Sequence, residues 1–189
     1  IGFLLILAFL HSFALANFEG IFGMYAQLRY DYDEATIGLI LTIVGIVSAV
    51  AQGALTGIAT RRWGDALVIK VSLFASIFGF ALMLVARNLF AVILMTGLFI
   101  FTNSMIRPGV SALISKRSPY GQGMAMGMNN AYMSLGRIFG PLWAGAALDV
   151  NLSFPYLTGA FIMLVGFIAS LFYLPHQEFS KQAETFSEE

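Results

Sequence analysis

Apolar residues run in six long blocks along the chain, each ended by a short polar interruption, and the pattern predicts helices rather than alternating strands. The blocks cover 1–28, 35–59, 66–86, 89–114, 122–148 and 154–174. Each approaches or exceeds the ~20 residues that carry a helix across ~30 Å of hydrocarbon. Arg29 to Glu34, Thr60 to Asp65, the pair Arg87 and Asn88, Ser115 to Gly121, and Asp149 to Ser153 lie between them. Connectors this short predict antiparallel neighbours and leave no room for a second soluble domain. Beyond Leu174 the chain turns polar, and 175–189 reads as a solvated cytoplasmic tail. The expected fold class is an all-α membrane protein, a six-helix transmembrane bundle over 1–174.

Composition agrees with that pattern: 59% of the 189 residues are hydrophobic and 11% charged, more apolar surface than a soluble domain of this length can bury. Formal net charge is zero, which gives no reason to expect nucleic acid as a partner. There is no cysteine, hence no disulfide, thiolate nucleophile or cysteine metal site, and two histidines make metal chemistry an unpromising reading. Ile1 already lies inside an apolar run too long for a signal peptide, so the sequence reads as part of a longer polypeptide. The second and fourth connectors hold Arg61, Arg62, Lys116 and Arg117, while the others hold Arg29 and Arg87 against Asp31, Asp33, Glu34 and Asp149. By the positive-inside rule both ends of the bundle are expected in the cytoplasm.

Small residues recur at fourfold spacing: Gly45, Ala49, Gly53 and Gly57; Gly123 and Gly127; Gly136, Gly140 and Ala144. In lipid no hydrophobic force drives helices together, so such ladders are expected to be where backbones pack closely.

The candidate chemistry lies in the polar groups inside apolar blocks. Glu19 is the only acid within a span, and Ser12, seven residues earlier, shares its helix face. Arg107 and Arg137 each sit deep in an apolar block, where a cation is costly unless it faces a cavity or a partner. At ~1.5 Å per residue, Glu19 lies about 13 Å from the outer end of its span, Arg137 about 16 Å and Arg107 about 27 Å from theirs, which makes Arg137 the better-matched partner. Pro108 and Gly109 follow Arg107 and predict a kink there, with Asn103, Ser104 and Ser111 near the same surface. The fifth span carries Asn129, Asn130 and Ser134 among Met124, Met126, Met128 and Met133. Methionine-rich surfaces accept varied ligands. The plainer alternatives are a fixed ion pair for Glu19, snorkelling for Arg107, core filling for each methionine, and a simple hydrogen bond for His11.

From Ser104 to Gly145 the residues MIRPGVSALIS and GQGMAMGMNNAYMSLGRIFGPLWAGAALD resemble the C-terminal half of a major facilitator superfamily transporter, of the quinolone-exporting multidrug/proton antiporter type. NFEG at Asn17 to Gly20 is similar to the seventh-helix segment that carries that family's acid. IRP at Ile106 to Pro108 is similar to its tenth helix. Gly136, Gly140, Pro141, Ala144 and Gly145 fit the antiporter packing motif GxxxGPxx[GA]G. The chain departs from the pattern at Ser104, where relatives carry an aspartate, at Arg137, and in the loop Arg61, Arg62, Gly64, Asp65, where acid and base are exchanged.

The resemblance implies that the spans are helices seven to twelve, facing an N-terminal six-helix half on the same or another chain across a central cavity. It implies no enzyme activity and no cofactor other than the proton as coupling ion, with an amphipathic small molecule as substrate, in a bacterial cell membrane. Glu19 and Arg137 are the expected proton-coupling pair. Ser12, Asn103, Ser104, Arg107, Asn130, Met133 and Ser134 are the expected cavity lining. Proton symport of a sugar or other metabolite is the alternative on the same fold. Self-pairing of two such halves is another reading, and an intramembrane hydrolase finds no serine placed to partner His11.

Overall fold

The computed structural model describes residues 1–119 and 121–174, and every regular element among them is helical. α1 is Gly2–Tyr30, α2 Glu34–Val50, α3 Thr56–Trp63, α4 Asp65–Met83, α5 Leu89–Ser104, α6 Ile106–Arg117, α7 Gln122–Val150 and α8 Phe154–Tyr173. A π-helical segment, Ala51–Leu55, joins α2 to α3 without a break, and α5 and α6 meet at Met105, so eight helices make six spans. Five of the spans are long and apolar enough to cross a membrane. The fifth span, α7, has 29 residues and is more polar because it carries the asparagines, Ser134 and Arg137. The tail expected over 175–189 lies outside the described residues.

Local chemistry explains where the helices begin and end. Asp33 caps α2 by accepting from the Thr36 backbone N–H at 2.9 Å, and Asn88 caps α5 by accepting from Ala91 N–H at 2.8 Å. Hydrogen bonding to Thr36 holds the Asp33 carboxyl below its ordinary range. Between α3 and α4 the chain reverses through Gly64 at φ 79°, a conformation that favours glycine. The second span runs on to Trp63 and the fourth to Arg117, a turn beyond their apolar blocks, while the third ends at Met83, short of Ala86.

The fourth span breaks at Met105, three residues before the proline expected to kink it. Pro108 has no N–H to offer the carbonyl of Ser104, so the disturbance falls in the turn that precedes the ring.

Packing is densest between α1 and α7. The two run parallel: Gly136 lies against the backbone of Phe9 and Phe13, Gly140 against Phe13 and Asn17, and Gly20 against Pro141. A Cβ at Gly136 would stand 2.6 Å from the Phe9 carbonyl oxygen. The other ladders do not behave as expected. Gly45, Gly53, Gly57, Gly123 and Gly127 meet nothing within 4 Å, and neither does Gly145 of the packing motif. They lie on faces that no other helix among the described residues covers, and fourfold spacing alone does not distinguish such a face from a packed one. The aromatic core instead uses glycines outside any ladder. Phe80 fills the notch at Gly159 and Phe99 the notch at Gly79; Phe18 packs edge-on or tilted against both, with Tyr156 edge-on to Phe18.

At one end of the bundle, Arg29 and Tyr30 donate to the carbonyls of Leu84, Met83 and Ala86, which ties the end of α1 to the end of α4. At the other end, Lys116 at the close of α6 donates to Asp65 at the start of α4, with 2.6 Å between Nζ and the carboxylate. The Asp65 side chain is 6% exposed and Lys116 59%, so loss of the lysine strands a mostly buried carboxylate with only the α4 N-terminus for support. Lys116→Ala is expected to cost about 1–2 kcal/mol, read as a thermal midpoint lower by a few degrees in detergent, while Lys116→Arg keeps most of the stability. An unshifted midpoint in the alanine variant would show that the contact is inert.

Candidate functional site

α1, α2, the α5–α6 break and α7 enclose a cavity of about 560 Å³. Its floor is apolar, with Leu15, Phe18, Val44 and Ile100, and its polar groups are His11, Glu19, Ser48, Gln52, Asn103, Ser104, Arg107 and Arg137. Glu19, Gln52, Arg107 and Arg137 are exposed, so the charged groups stand on the open side.

The cavity has two levels. Glu19 and His11 both line it from α1, eight residues and so ~12 Å apart along the helix, with Arg107 and Arg137 in the same lining. No arginine nitrogen comes within 4 Å of the Glu19 carboxylate among the described residues, where Lys116 with Asp65 is the ion pair the structure shows. Glu19 therefore shares the cavity with two cations without being locked to either.

Hydrogen bonds fix the wall. Gln52 Nε2 donates to Ser48 Oγ at 2.8 Å, and the hydroxyls of Ser48 and Ser104 are 3.0 Å apart, which bridges α2 to α5. Asn103 Nδ2 donates to Ser76 Oγ at 3.0 Å, and Ser76 donates to the Ser72 carbonyl, which bridges α5 to α4. Asn129 Nδ2 donates to Ser111 Oγ at 3.0 Å, joining α7 to α6. Asn103 Oδ1 and both ring nitrogens of His11 are buried without a protein hydrogen-bond partner.

Of the residues expected at the site, Glu19, Arg137, Asn103, Ser104 and Arg107 come together in this cavity. Four do not. Ser12 is 4% exposed and lies under α7, where a Cβ at Gly136 would stand 2.9 Å from its own, so the face it shares with Glu19 is covered at that height. Met133 is 4% exposed and belongs to the core. Asn130 and Ser134 are exposed and line no part of the cavity, but with Arg137 they share one face of α7 at helical spacing, on the uncovered side. Ser48 and Gln52 were not singled out from the sequence. Two polar residues four apart within an apolar block are the signal that marks them.

The basic loop also rearranges. Gly64 makes the turn and Asp65 finds its base on the fourth connector rather than within its own loop, while Arg61 and Arg62 remain exposed. Asp65 packs closely because Gly109 of α6 sits over Ile69 and the Asp65 carbonyl, a position where a Cβ would be 3.0 Å from the Ile69 side chain.

A membrane-spanning helical bundle with a cavity of small-molecule size, charged on its open side, is the architecture of a membrane transporter. The chain belongs to the Major Facilitator Superfamily, whose family model matches residues 4–189. It is 30% identical over 161 residues to "Multidrug resistance protein 2" of Bacillus subtilis, an alignment covering 85% of this chain and 40% of that protein. It is 30% identical over 166 residues to "Multidrug resistance protein 1" of the same organism, covering 88% and 42%. It is 26% identical over 179 residues to "Quinolone resistance protein NorA" of Staphylococcus aureus, covering 95% and 46%. The chain thus spans less than half the length of these relatives. Membership places it in a family of multi-pass membrane transporters rather than among enzymes.

Proposed function

We propose that this chain supplies the C-terminal six-helix half of a proton-coupled exporter of amphipathic drugs that works by alternating access. The observation that carries the reading is the meeting of Glu19 and Arg137, unlocked from each other, at the open side of a cavity with an apolar floor. Glu19 binds either a proton or the positive end of a cargo molecule, and that competition links the two fluxes. Two arginines against one acid also give the cavity an excess of positive charge. A zwitterionic cargo then places its amine at Glu19 and its anionic end at Arg107 or Arg137. The resistance functions in the relatives' names fit such cargo.

Symport of a sugar or metabolite is the weaker reading, because such a solute needs many free directional groups, whereas the hydroxyls of Ser48 and Ser104 already bond to each other and much of the lining is apolar. The proton serves as coupling ion without further cofactor. The uncovered faces of α2 and α7 meet an N-terminal half, on this or another chain, in the cytoplasmic membrane of a bacterium, with the basic loops and both termini in the cytoplasm. Pairing with a second copy instead would double the particle size in detergent.

The deciding experiment is efflux of a fluorescent cationic dye by the complete protein in vesicles under an imposed pH gradient. Glu19→Gln is expected to reduce gradient-driven efflux to background, and undiminished efflux would remove Glu19 from the mechanism.

A further inference from the structure

A second hollow of about 300 Å³, sharing no lining residue with the charged cavity, lies between α3, α4 and the α5–α6 break. Its walls are almost wholly apolar, with Trp63, Leu67, Val68, Val71 and Met105. Trp63 and Val71 are 50% and 58% exposed, so the hollow opens at the surface of the bundle. Leu67 to Ser72 lie about 3–10 Å along α4 from its start at Asp65, which puts the hollow just inside the boundary between headgroups and acyl chains. Tryptophan is enriched at that level.

Two cations lie beside it, near the end of α3 that supplies Trp63. The Arg62 guanidinium carbon lies 5.8 Å from the centroid of the Trp63 ring, and Arg61 is the preceding residue on α3. Both are exposed, and neither has a carboxylate within 4 Å among the described residues, because the acid of their own loop, Asp65, is taken by Lys116. Exposed cations without a carboxylate partner, level with the outer end of an apolar slot, match a molecule with an anionic head and a hydrocarbon tail.

We infer that this hollow is a binding site for an anionic phospholipid, with the phosphate at Arg61 and Arg62 and an acyl chain lying along Trp63, Val71 and Met105. The bundle end that carries these arginines also carries Lys116 and Arg117, so the lipid comes from the leaflet facing that end. Each basic residue close to an anionic surface strengthens binding roughly fivefold, so two give a preference over zwitterionic lipid of at most about 25-fold, less with screening. The site does not depend on Glu19 or on the transported molecule.

The test uses the complete protein in vesicles that contain either phosphatidylglycerol or phosphatidylcholine with a photoactivatable diazirine in one acyl chain, followed by mapping of the adducts on peptides. Adducts at residues 63–72 and at Met105 are expected to be about tenfold more abundant with phosphatidylglycerol. The double variant Arg61→Gln, Arg62→Gln is expected to bring that ratio close to one. Adducts on the outer face of α8, at Phe161 and Phe172, are expected to stay unchanged, which shows that the variant is folded. Equal labelling by the two lipids in the unaltered protein, an unchanged ratio in the double variant, or no labelling of the hollow by either lipid would each overturn the inference. The last outcome would mean that protein covers it.

Discussion

Leucine at Gly140 should leave no folded protein to purify. A Cβ at that position would stand 2.6 Å from the Phe13 carbonyl oxygen, 2.9 Å from the Asn17 backbone nitrogen and 3.0 Å from the Ala16 Cβ. Two of the three are backbone atoms of a helix and cannot swing aside as a side chain can. α1 and α7 must therefore separate along their length, and with them goes the closest contact in the bundle. Overpacking a core costs about 1–3 kcal/mol where side chains can yield, and more where they cannot, against a total stability of roughly 5–15 kcal/mol. Gly140→Ala already forces the clash and is expected to destabilise strongly. Gly145→Ala, five residues on and with nothing from this chain within 4 Å, is expected to leave the α1–α7 contact intact and, within this half, to be neutral or to gain about 0.5–1 kcal/mol from better helix propensity. Fluorescence-detected size exclusion followed by thermal unfolding checks the series, and a monodisperse Gly140→Leu protein melting like the parent would refute the α1–α7 contact.

The second large effect belongs to Glu19. Glutamine keeps the size of the carboxyl, with one oxygen acceptor replaced by an NH2 donor, and does not ionise, so it holds the site permanently in an uncharged form. Under the proposed mechanism, gradient-driven efflux falls to background. Affinity for cationic dyes falls by roughly 10- to 100-fold, the worth of about 1.5–3 kcal/mol for a charge-assisted contact. Arg137 gives the control. Arg137→Gln removes the neighbouring cation without removing the acid, so a cationic dye should bind as well or better while an anionic or zwitterionic one weakens. Dye binding by fluorescence titration at several pH values separates the variants. With Glu19 present, cation binding weakens as the pH falls and protons take the site, whereas in Glu19→Gln that dependence disappears. A cation affinity that follows pH identically in both proteins would assign the titration to another group.

How much of this could be read from the residues depends on which force each feature obeys. The six spans were legible because hydrocarbon imposes one requirement on all of them, and the ends moved only by about a turn where Trp63 and Arg117 extend a helix into the interface. That Glu19, Arg107 and Arg137 line one cavity could be anticipated because a charge in an apolar block is conspicuous and must face a cavity or a partner. Which glycines pack could not be found. Gly136 and Gly53 have the same spacing, and only the path of a helix hundreds of atoms away decides that the first touches backbone and the second nothing. Ser12 failed for the same reason: it shares a face with Glu19, but α7 covers one and not the other. The partner of Asp65 was equally hidden, since Lys116 lies 51 residues on.

The wide turn at Ala51–Leu55 carries a last implication. Five residues there take the winding of a π-helix, with the Thr56 hydroxyl donating back to the Ala51 carbonyl at 2.7 Å, so the second span holds one more residue than a regular α-helix of that height would need. A regular helix punishes any change of length, because a single deletion swings everything beyond it by about 100°. Here the surplus residue acts as slack: its loss would tighten the coil to ordinary pitch while Ser48 above and Arg62 below keep their headings. Evolution could therefore shorten this span by one residue at that place, and nowhere else along it, without re-aiming either the charged chamber or the basic rim.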